Sequence, residues 1–315
     1  QDPVVDAMLI YALHESDSVD FAEAIGAAAE ISGKPCVYGT QGMNRDIGPL
    51  MKAAEKKRVT AIASPDRAAT AVQALVEDAR AQHRISGAEP EQSAPAVPEH
   101  PLPRSIDEAS AKDFISAYGI ATPKRFVCAS HAEAIAANKK IAGPAVVKVL
   151  DPRITHKTES GGVHLGVRTA KQLDAALRQI DSIKSRTRKK RYLLEETAPP
   201  GLEVIVGARN DPSWGPVILL GLGGVAAEVL EDISMRLAPI GRKDALAMID
   251  ELKSAALFNG FRGAPAVDKA ALADAIVAVG NMILKTPEIR EIDLNPVRVY
   301  SDGDGILALD ALILA

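Results

Sequence analysis

Aromatic side chains make up only 3% of this 315-residue chain, and cysteines number two. No apolar run approaches the roughly 20 residues that a helix needs to cross a bilayer. Each scarcity excludes something. With one Trp, five Tyr and five Phe, the chain lacks the stacking platforms that hold single-stranded nucleic acid, and its core must be aliphatic. Cys36 and Cys128 form no disulfide framework and no zinc spacing; they read as buried or free thiols in a reducing compartment. Basic residues are not in excess either: the net charge is −4, so no overall positive field gathers a polyanion. An anionic ligand must be held by a local pocket. No signal peptide is visible. The expectation is a cytoplasmic protein with neither a nucleic-acid nor a membrane partner.

What is present is an orderly succession of strand and helix patterns. Val5–Tyr11, Cys36–Gly39 and Thr60–Ala63 read as strands, separated by helical patterns over Phe21–Ile31, 46–56 and 67–83. Asp17, Ser18 or Asp20 could cap the first of these helices. Strands spaced by single helices predict parallel βαβ units. A sheet of about three such strands is small or incomplete, and a chain that enters a buried strand so soon after Gln1 reads as beginning inside a larger protein. Residues 86–104 carry five prolines among Ser, Gly and Glu, and so form a linker. Residues 105–315 mix the two kinds of element: a helix from Asp107 to Tyr118, strands at Gly143–Leu150 and Val163–Val167, a helix over Ala170–Ser185. Strands Tyr192–Glu195 and Leu202–Ala208 flank a turn at Pro199-Pro200-Gly201, and Val217–Leu222 and Val225–Val229 flank Gly223-Gly224. Helices near 243–252 and 268–284 precede strands Glu291–Val299 and Gly305–Leu309. This pattern predicts two α+β lobes, 105–198 and 199–315.

Three constellations carry chemistry. In the first, Lys148 ends an apolar strand, where a charge needs a partner or a ligand. A phosphate contact and a lysine that simply snorkels to solvent explain it about equally. In the following loop His156 sits between hydrogen-bond donors, with Gly161-Gly162 able to bring backbone N–H groups close to an anion. A solvated surface loop is the competing explanation. In the second, Asp293 and Asn295 share a strand face and Asp310 lies on the next strand, an oxygen-rich set that suits Mg²⁺. The alternative is a merely polar strand face. In the third, Glu195-Glu196-Thr197 ends a strand before a hinge and is followed by Glu203. Such a segment can offer backbone groups to adenine and a carboxylate to ribose. The run Gly221-Leu222-Gly223-Gly224 is neither a Walker A motif nor a dinucleotide fingerprint and reads best as a tight turn. The basic cluster Lys184, Arg186, Arg188, Lys189, Lys190, Arg191 complements a helix C-terminus.

Taken in order, several segments resemble the ATP-grasp region of the ADP-forming acyl-CoA synthetases. They are Lys112 to Pro123, His156-Lys157-Thr158-Glu159 with Gly161-Gly162-Val163, Gly221 to Gly224, Ser234 to Pro239, Gly260 to Gly263, and Ile292-Asp293-Leu294-Asn295-Pro296. Residues 1–85 resemble the end of the flavodoxin-like domain that precedes this region in fused members of the family. The resemblance implies an α/β protein: part of a parallel-sheet domain followed by a two-lobed ATP-grasp domain. It implies the reversible reaction of an acid, CoA and ATP to acyl-CoA, ADP and phosphate. The phosphoryl group passes by way of a histidine upstream and then His156, with Asp293 orienting the phosphohistidine. Lys148, Glu195, Glu196, Thr197, Glu203, Gly161 and Gly162 would bind nucleotide, and Asn295 and Asp310 would hold Mg²⁺. A small acyl substrate and CoA would be bound mainly by upstream domains of the same protein or by a partner subunit, and a homo-oligomer is compatible with all of this. Two competing expectations remain. One is an ATP-grasp carboxylate–amine ligase, which needs no phosphohistidine. The other is the ligand-sensing, synthetase-like region of a protein acetyltransferase.

Overall fold

The computed structural model of the protein describes residues 5, 7–13, 21–41, 44–57, 59–86, 100–154, 157–184, 190–224 and 232–315. His156, the strand expected at Val225–Val229, the caps Asp17, Ser18 and Asp20, most of the linker and half of the basic cluster therefore lie outside the described residues. The chain divides into two compact units, residues 1–92 and 93–315.

The first unit has the parallel arrangement expected. Strands β1 (Met8–Leu13), β2 (Cys36–Gln41) and β3 (Thr60–Ile62) pair in the order β1-β2-β3, all parallel. Helices α1 (Phe21–Ser32), α2 (Asn44–Lys56) and α3 (Pro65–Ser86) alternate with them. Tyr38 on the central strand is buried with Ile25, Ala54 and Val59.

The second unit contains two antiparallel sheets. One has four strands in the order β4-β7-β5-β6: β4 (Arg125–Cys128), β5 (Ala145–Val149), β6 (Val163–Val167) and β7 (Tyr192–Glu196). Helices α5 (His131–Asn138) and α6 (Ala170–Ser182) cover it, and Leu173, Ala176, Leu177 and Ile180 of α6 fill its core beside Val147 and Val149. The capping box of Thr169 and Gln172 starts α6. The helix ends at Ser182, earlier than expected, because Ile183 is already extended.

The other sheet runs β10-β9-β8-β11-β12, with β13 also on β11: β8 (Leu202–Asp211), β9 (Gly215–Leu222), β10 (Ile233–Leu237), β11 (Glu291–Val299), β12 (Ile306–Ala308) and β13 (Leu312–Leu314). Helices α7 (Arg242–Glu251) and α8 (Lys269–Lys285) line its core. Asp268 caps α8 through the N–H of Ala271 and also accepts the N–H groups of Gly303 and Gly305, which fastens the turn between β11 and β12 to the helix. The strands expected to flank Pro199-Pro200-Gly201 do not pair with each other. β7 belongs to one sheet and β8 to the other, so the turn is the crossing between lobes.

Helix α4 (Glu108–Ala117) joins the lobes in another way. Asp107 and Ser110 form its capping box, and Gly119, at φ 88°, follows its end. Counted with the first lobe in sequence, it nevertheless packs Ala111, Phe114 and Ile115 into the core of the six-stranded sheet. Its Ala109 rests on Leu150 and Leu193, beside the four-stranded one.

Candidate active site

Where α4 lies against both sheets, each contributes charge to one buried cluster. Glu108 and Lys112 stand one helical turn apart on α4, and both side chains are fully buried. Lys148 on β5 lies opposite Leu193 of β7, so Glu195, two residues further along β7, projects from the same face. From the six-stranded sheet comes the connection between β12 and β13, with the Leu309 carbonyl and the Asp310 carboxylate.

An ammonium group has three N–H donors, and two of these lysines have an acceptor for each. Lys112 Nζ lies 2.8 Å from Glu108 Oε1, 2.5 Å from Glu195 Oε1 and 2.7 Å from the Leu309 carbonyl. Lys148 Nζ lies 2.5 Å from Glu108 Oε1, 3.0 Å from Glu195 Oε2 and 2.8 Å from the same carbonyl. Lys157 Nζ completes the set, 2.6 Å from Glu108 Oε2 and 3.3 Å from Asp310 Oδ1. Lysines 112, 148 and 157 are thus balanced by Glu108, Glu195 and Asp310. Pairing of this kind is what allows so many charges to be buried. Burial works against ionised Glu108, yet Lys148, Lys112 and Lys157 hold its carboxyl well below the usual carboxylate range. Burial likewise opposes the charge on Lys148, but Glu108, Asp310 and Glu195 outweigh it and raise its pKa. For Lys112, burial and neighbouring Lys148 win over Glu108 and Glu195, and its pKa falls.

Asp293 on β11 is in the opposite situation. Burial, then Glu291 and Asp310, push its pKa up to about 6. Asp293 and Asp310 are therefore brought together as expected, but not as residues of neighbouring strands. β12 stops at Ala308, and Asp310 sits in the loop after it. The two-residue alternation of β11 carries from Asp293, half-buried, past buried Leu294 to exposed Asn295, and breaks only after it. The pairing of β11 with β8 shifts between Leu294 and Val297, where Pro296 has no N–H to donate. Asn295 is exposed at this bulge. The Pro296 carbonyl accepts the N–H of Leu309, which brings the backbone beside Asn295 to the start of the Asp310 loop.

The remaining candidates have their own partners. Glu196 pairs with Lys124, and Thr197 donates through both N–H and hydroxyl to the Pro144 carbonyl. Glu203 accepts from Arg298 at 3.0 and 2.9 Å, while Arg298 also holds the carbonyls of Ala198 and Pro199, so this pair braces the crossing between lobes. The N–H groups of Gly161 and Gly162 donate within their own turn, to Thr158 and Lys157. A Cβ at Gly162 would meet Val149 at 2.6 Å, so glycine is needed there for close packing of the loop on β5. Sequence reasoning missed Glu108, Arg298 and any role for Lys112, while Lys157 was read as one of the hydrogen-bond donors flanking His156. The available signal was a charged pair at helical spacing among Ala109, Ala111, Phe114 and Ile115.

For a divalent cation the donors at hand are Asp310, Asp293 and Asn295. The crowding of Glu291, Asp293 and Asp310 that raises the Asp293 pKa is what a cation among them would relieve. Among the described residues no three His, Cys, Asp or Glu side chains converge on one point. That suits Mg²⁺, which uses few protein oxygens and completes its shell with phosphate and water. Among the described residues no helix is long and apolar enough to cross a membrane.

Two antiparallel sheets thus meet at a buried lysine cluster beside a carboxylate-bearing loop. The family described as ATP-grasp domain matches residues 103–314, and the chain belongs to it. The β subunit of ADP-forming acetate–CoA ligase I from Pyrococcus furiosus is 38% identical over 67% of this chain and 92% of its own length. The trans-feruloyl-CoA synthase FCS1 of an unknown prokaryotic organism is 40% identical over 66% of this chain, but the match spans only 30% of that protein. Among solved structures, acetyl-coenzyme A synthetase 1 of Ca. Korarchaeum cryptofilum matches with a TM-score of 0.56 and 39% identity over 66% of this chain and 91% of that one. It holds coenzyme A and Mg-AMPPCP, with its phosphohistidine segment pointing towards the nucleotide-binding site. The relatives are ADP-forming acid–CoA ligases, some with this region as a separate subunit and others with it inside a longer chain.

Proposed function

We propose that this chain is the nucleotide-binding, phosphoryl-transfer part of an ADP-forming acyl-CoA synthetase, acting through a phosphohistidine at His156. The observation that carries this reading is the convergence of Lys148, Lys157, Asp293 and Asp310 at one place, in a chain of this family. Lys148, held with Lys112 on buried Glu108 and Glu195, supplies fixed positive charge beneath the phosphates. Asp310, with Asn295 and Asp293, would hold Mg²⁺, which when bound offsets charge on the phosphate oxygens. His156 supplies an imidazole that is neutral near pH 7 and nucleophilic toward phosphorus. Its proximity in sequence to Lys157, whose ammonium lies on Glu108 and Asp310, ties the histidine segment to this cluster. Asp293, pushed up to about 6, is a carboxyl able to hold or release a proton close to neutral pH.

The CoA and acyl half would come from upstream domains or a partner subunit. This is supported by the match to a protein named a β subunit and by the longer feruloyl relative. Residues 1–85 would be the end of a flavodoxin-like domain, 86–104 the linker, and the cytoplasm the place of action. Two measurements test the reading. Calorimetry should show Mg²⁺-dependent ADP binding by the wild type, weakened about tenfold or more by Asp310→Ala. Incubation with γ-labelled ATP and Mg²⁺ should leave an acid-labile label that His156→Ala abolishes. Wild type that binds no nucleotide in Mg²⁺ would overturn the whole reading. Labelling that survives His156→Ala would overturn the phosphohistidine.

A further inference from the structure

We propose that Lys157 is the exchangeable cation of this site: in the ligand-free protein it neutralises Asp310 in place of a divalent cation, and it transfers to a nucleotide phosphate when that cation binds. The inference rests on the nucleotide reading above and assigns a role to a residue that reading leaves open.

The three lysines are not equivalent. Lys112 and Lys148 are 0% and 7% exposed, and each has three acceptors around its ammonium. Lys112 cannot donate to a phosphate without giving up a buried hydrogen bond, and Lys148 cannot do so without giving up one of two buried hydrogen bonds or turning from its ion pair with Glu195, which is costly in a desolvated cluster. They are the floor of the site. Lys157 is 12% exposed and has two acceptors, so one N–H has no partner among the described residues. Its two acceptors also differ. Glu108 is fully buried, whereas Asp310 is 32% exposed. The contact to Glu108 is 2.6 Å and that to Asp310 3.3 Å, so the weaker bond is the one to the candidate metal ligand.

A divalent cation on Asp310 and an ammonium 3.3 Å from the same carboxylate repel each other. One of them must leave, and the lysine has a flexible four-carbon stem with which to do so. Its displaced ammonium keeps a buried anchor in Glu108 and has a free donor for a phosphate oxygen. The ligand class this selects is a nucleoside di- or triphosphate together with a hard divalent cation. The same lysine follows His156 directly in the sequence.

The test uses two probes on the full chain: Mn²⁺ alone, titrated by electron paramagnetic resonance, and ADP in EDTA, titrated by calorimetry. Lys157→Met should bind Mn²⁺ about fivefold or more tightly than wild type, because the competing cation is gone. It should bind metal-free ADP about tenfold more weakly, because a charge-assisted phosphate contact is lost. Lys157→Arg should return both values toward wild type. Lys157→Gln provides a second neutral variant, and melting curves in EDTA identify any variant that fails to fold. Unchanged or weaker Mn²⁺ binding by a folded neutral variant overturns the exchange, as does unchanged metal-free ADP binding. If instead wild type itself shows no Mg²⁺-dependent ADP binding, the nucleotide reading has failed, and the two failures are told apart.

Discussion

Asp293 and Glu108 are carboxylates that their surroundings push in opposite directions. The ordinary value for Asp293 is 3.8 and burial, with Glu291 and Asp310, raises it to about 6. The folded state then favours the protonated form. The stability this group contributes is complete below pH 3.8 and is lost as pH rises through 6. Asp293→Asn keeps the neutral form at every pH. The ligand-free variant should therefore melt higher than wild type at pH 7.5 and close to it at pH 4.5. Melting curves that coincide at both pH values would show that this carboxyl ionises freely. Glu108 behaves oppositely. Its pKa lies below the ordinary 4.5, so its stabilisation is present above that value and is lost as pH falls below it.

At the level of elements, α4 links features that otherwise belong to separate lobes. Its apolar face completes the core of the six-stranded sheet, and its charged residues reach β5, β7 and the loop after β12. Glu108→Ala would leave Lys112, Lys148 and Lys157 short of a buried counter-ion, and its expected cost is about 3–5 kcal/mol by urea denaturation. A loss below about 1 kcal/mol would mean that water replaces the carboxylate without strain. The loop from β5 to β6 depends on a different constraint. Gly162→Ala sets a methyl 2.6 Å from Val149 and 3.0 Å from the Lys157 carbonyl. Relief requires the loop to move, at a cost of about 1–3 kcal/mol. Metal-free ADP affinity should fall with it if Lys157 contacts phosphate; unchanged affinity would separate the loop's packing from its chemistry.

For the molecule as a whole, the charge cluster belongs to neither lobe alone. Lys148 and Glu195 come from one sheet, Asp293 and Asp310 from the other, and Glu108 with Lys112 from the helix between them. Nucleotide binding should therefore persist in this chain by itself. On the function proposed above, formation of ATP from acetyl-CoA, phosphate and ADP should require a separate acyl- and CoA-binding half. A luciferase assay on the isolated chain should stay at background, and ATP above background would overturn that division of labour.

Much of this was legible in the residues. The capping signals of α4 and α6 lie in short-range chemistry, so those helices begin where Asp107 and Thr169 say they should. The buried strands β5, β7 and β11 were visible as apolar runs, and ordered motifs pointed to the family. Other elements were not legible: β4 and β13 have 4 and 3 residues and α5 has 8, while β10, as long as β5 and β7, is largely exposed and lacks a continuous apolar run. The partners of Lys148 were hidden for another reason. Glu108 precedes it by 40 residues and Leu309 follows it by 161, and no local pattern encodes such a meeting. The bulge at Asn295–Pro296 was hidden as well, because the alternation of β11 breaks only after Asn295. By itself the sequence determined which residues could carry phosphate chemistry, because charge, donor count and helix capping are properties of residues and their near neighbours. Only the tertiary structure decided which lysines are locked and which one has a donor free, because saturation of an ammonium depends on acceptors delivered from three separate parts of the chain.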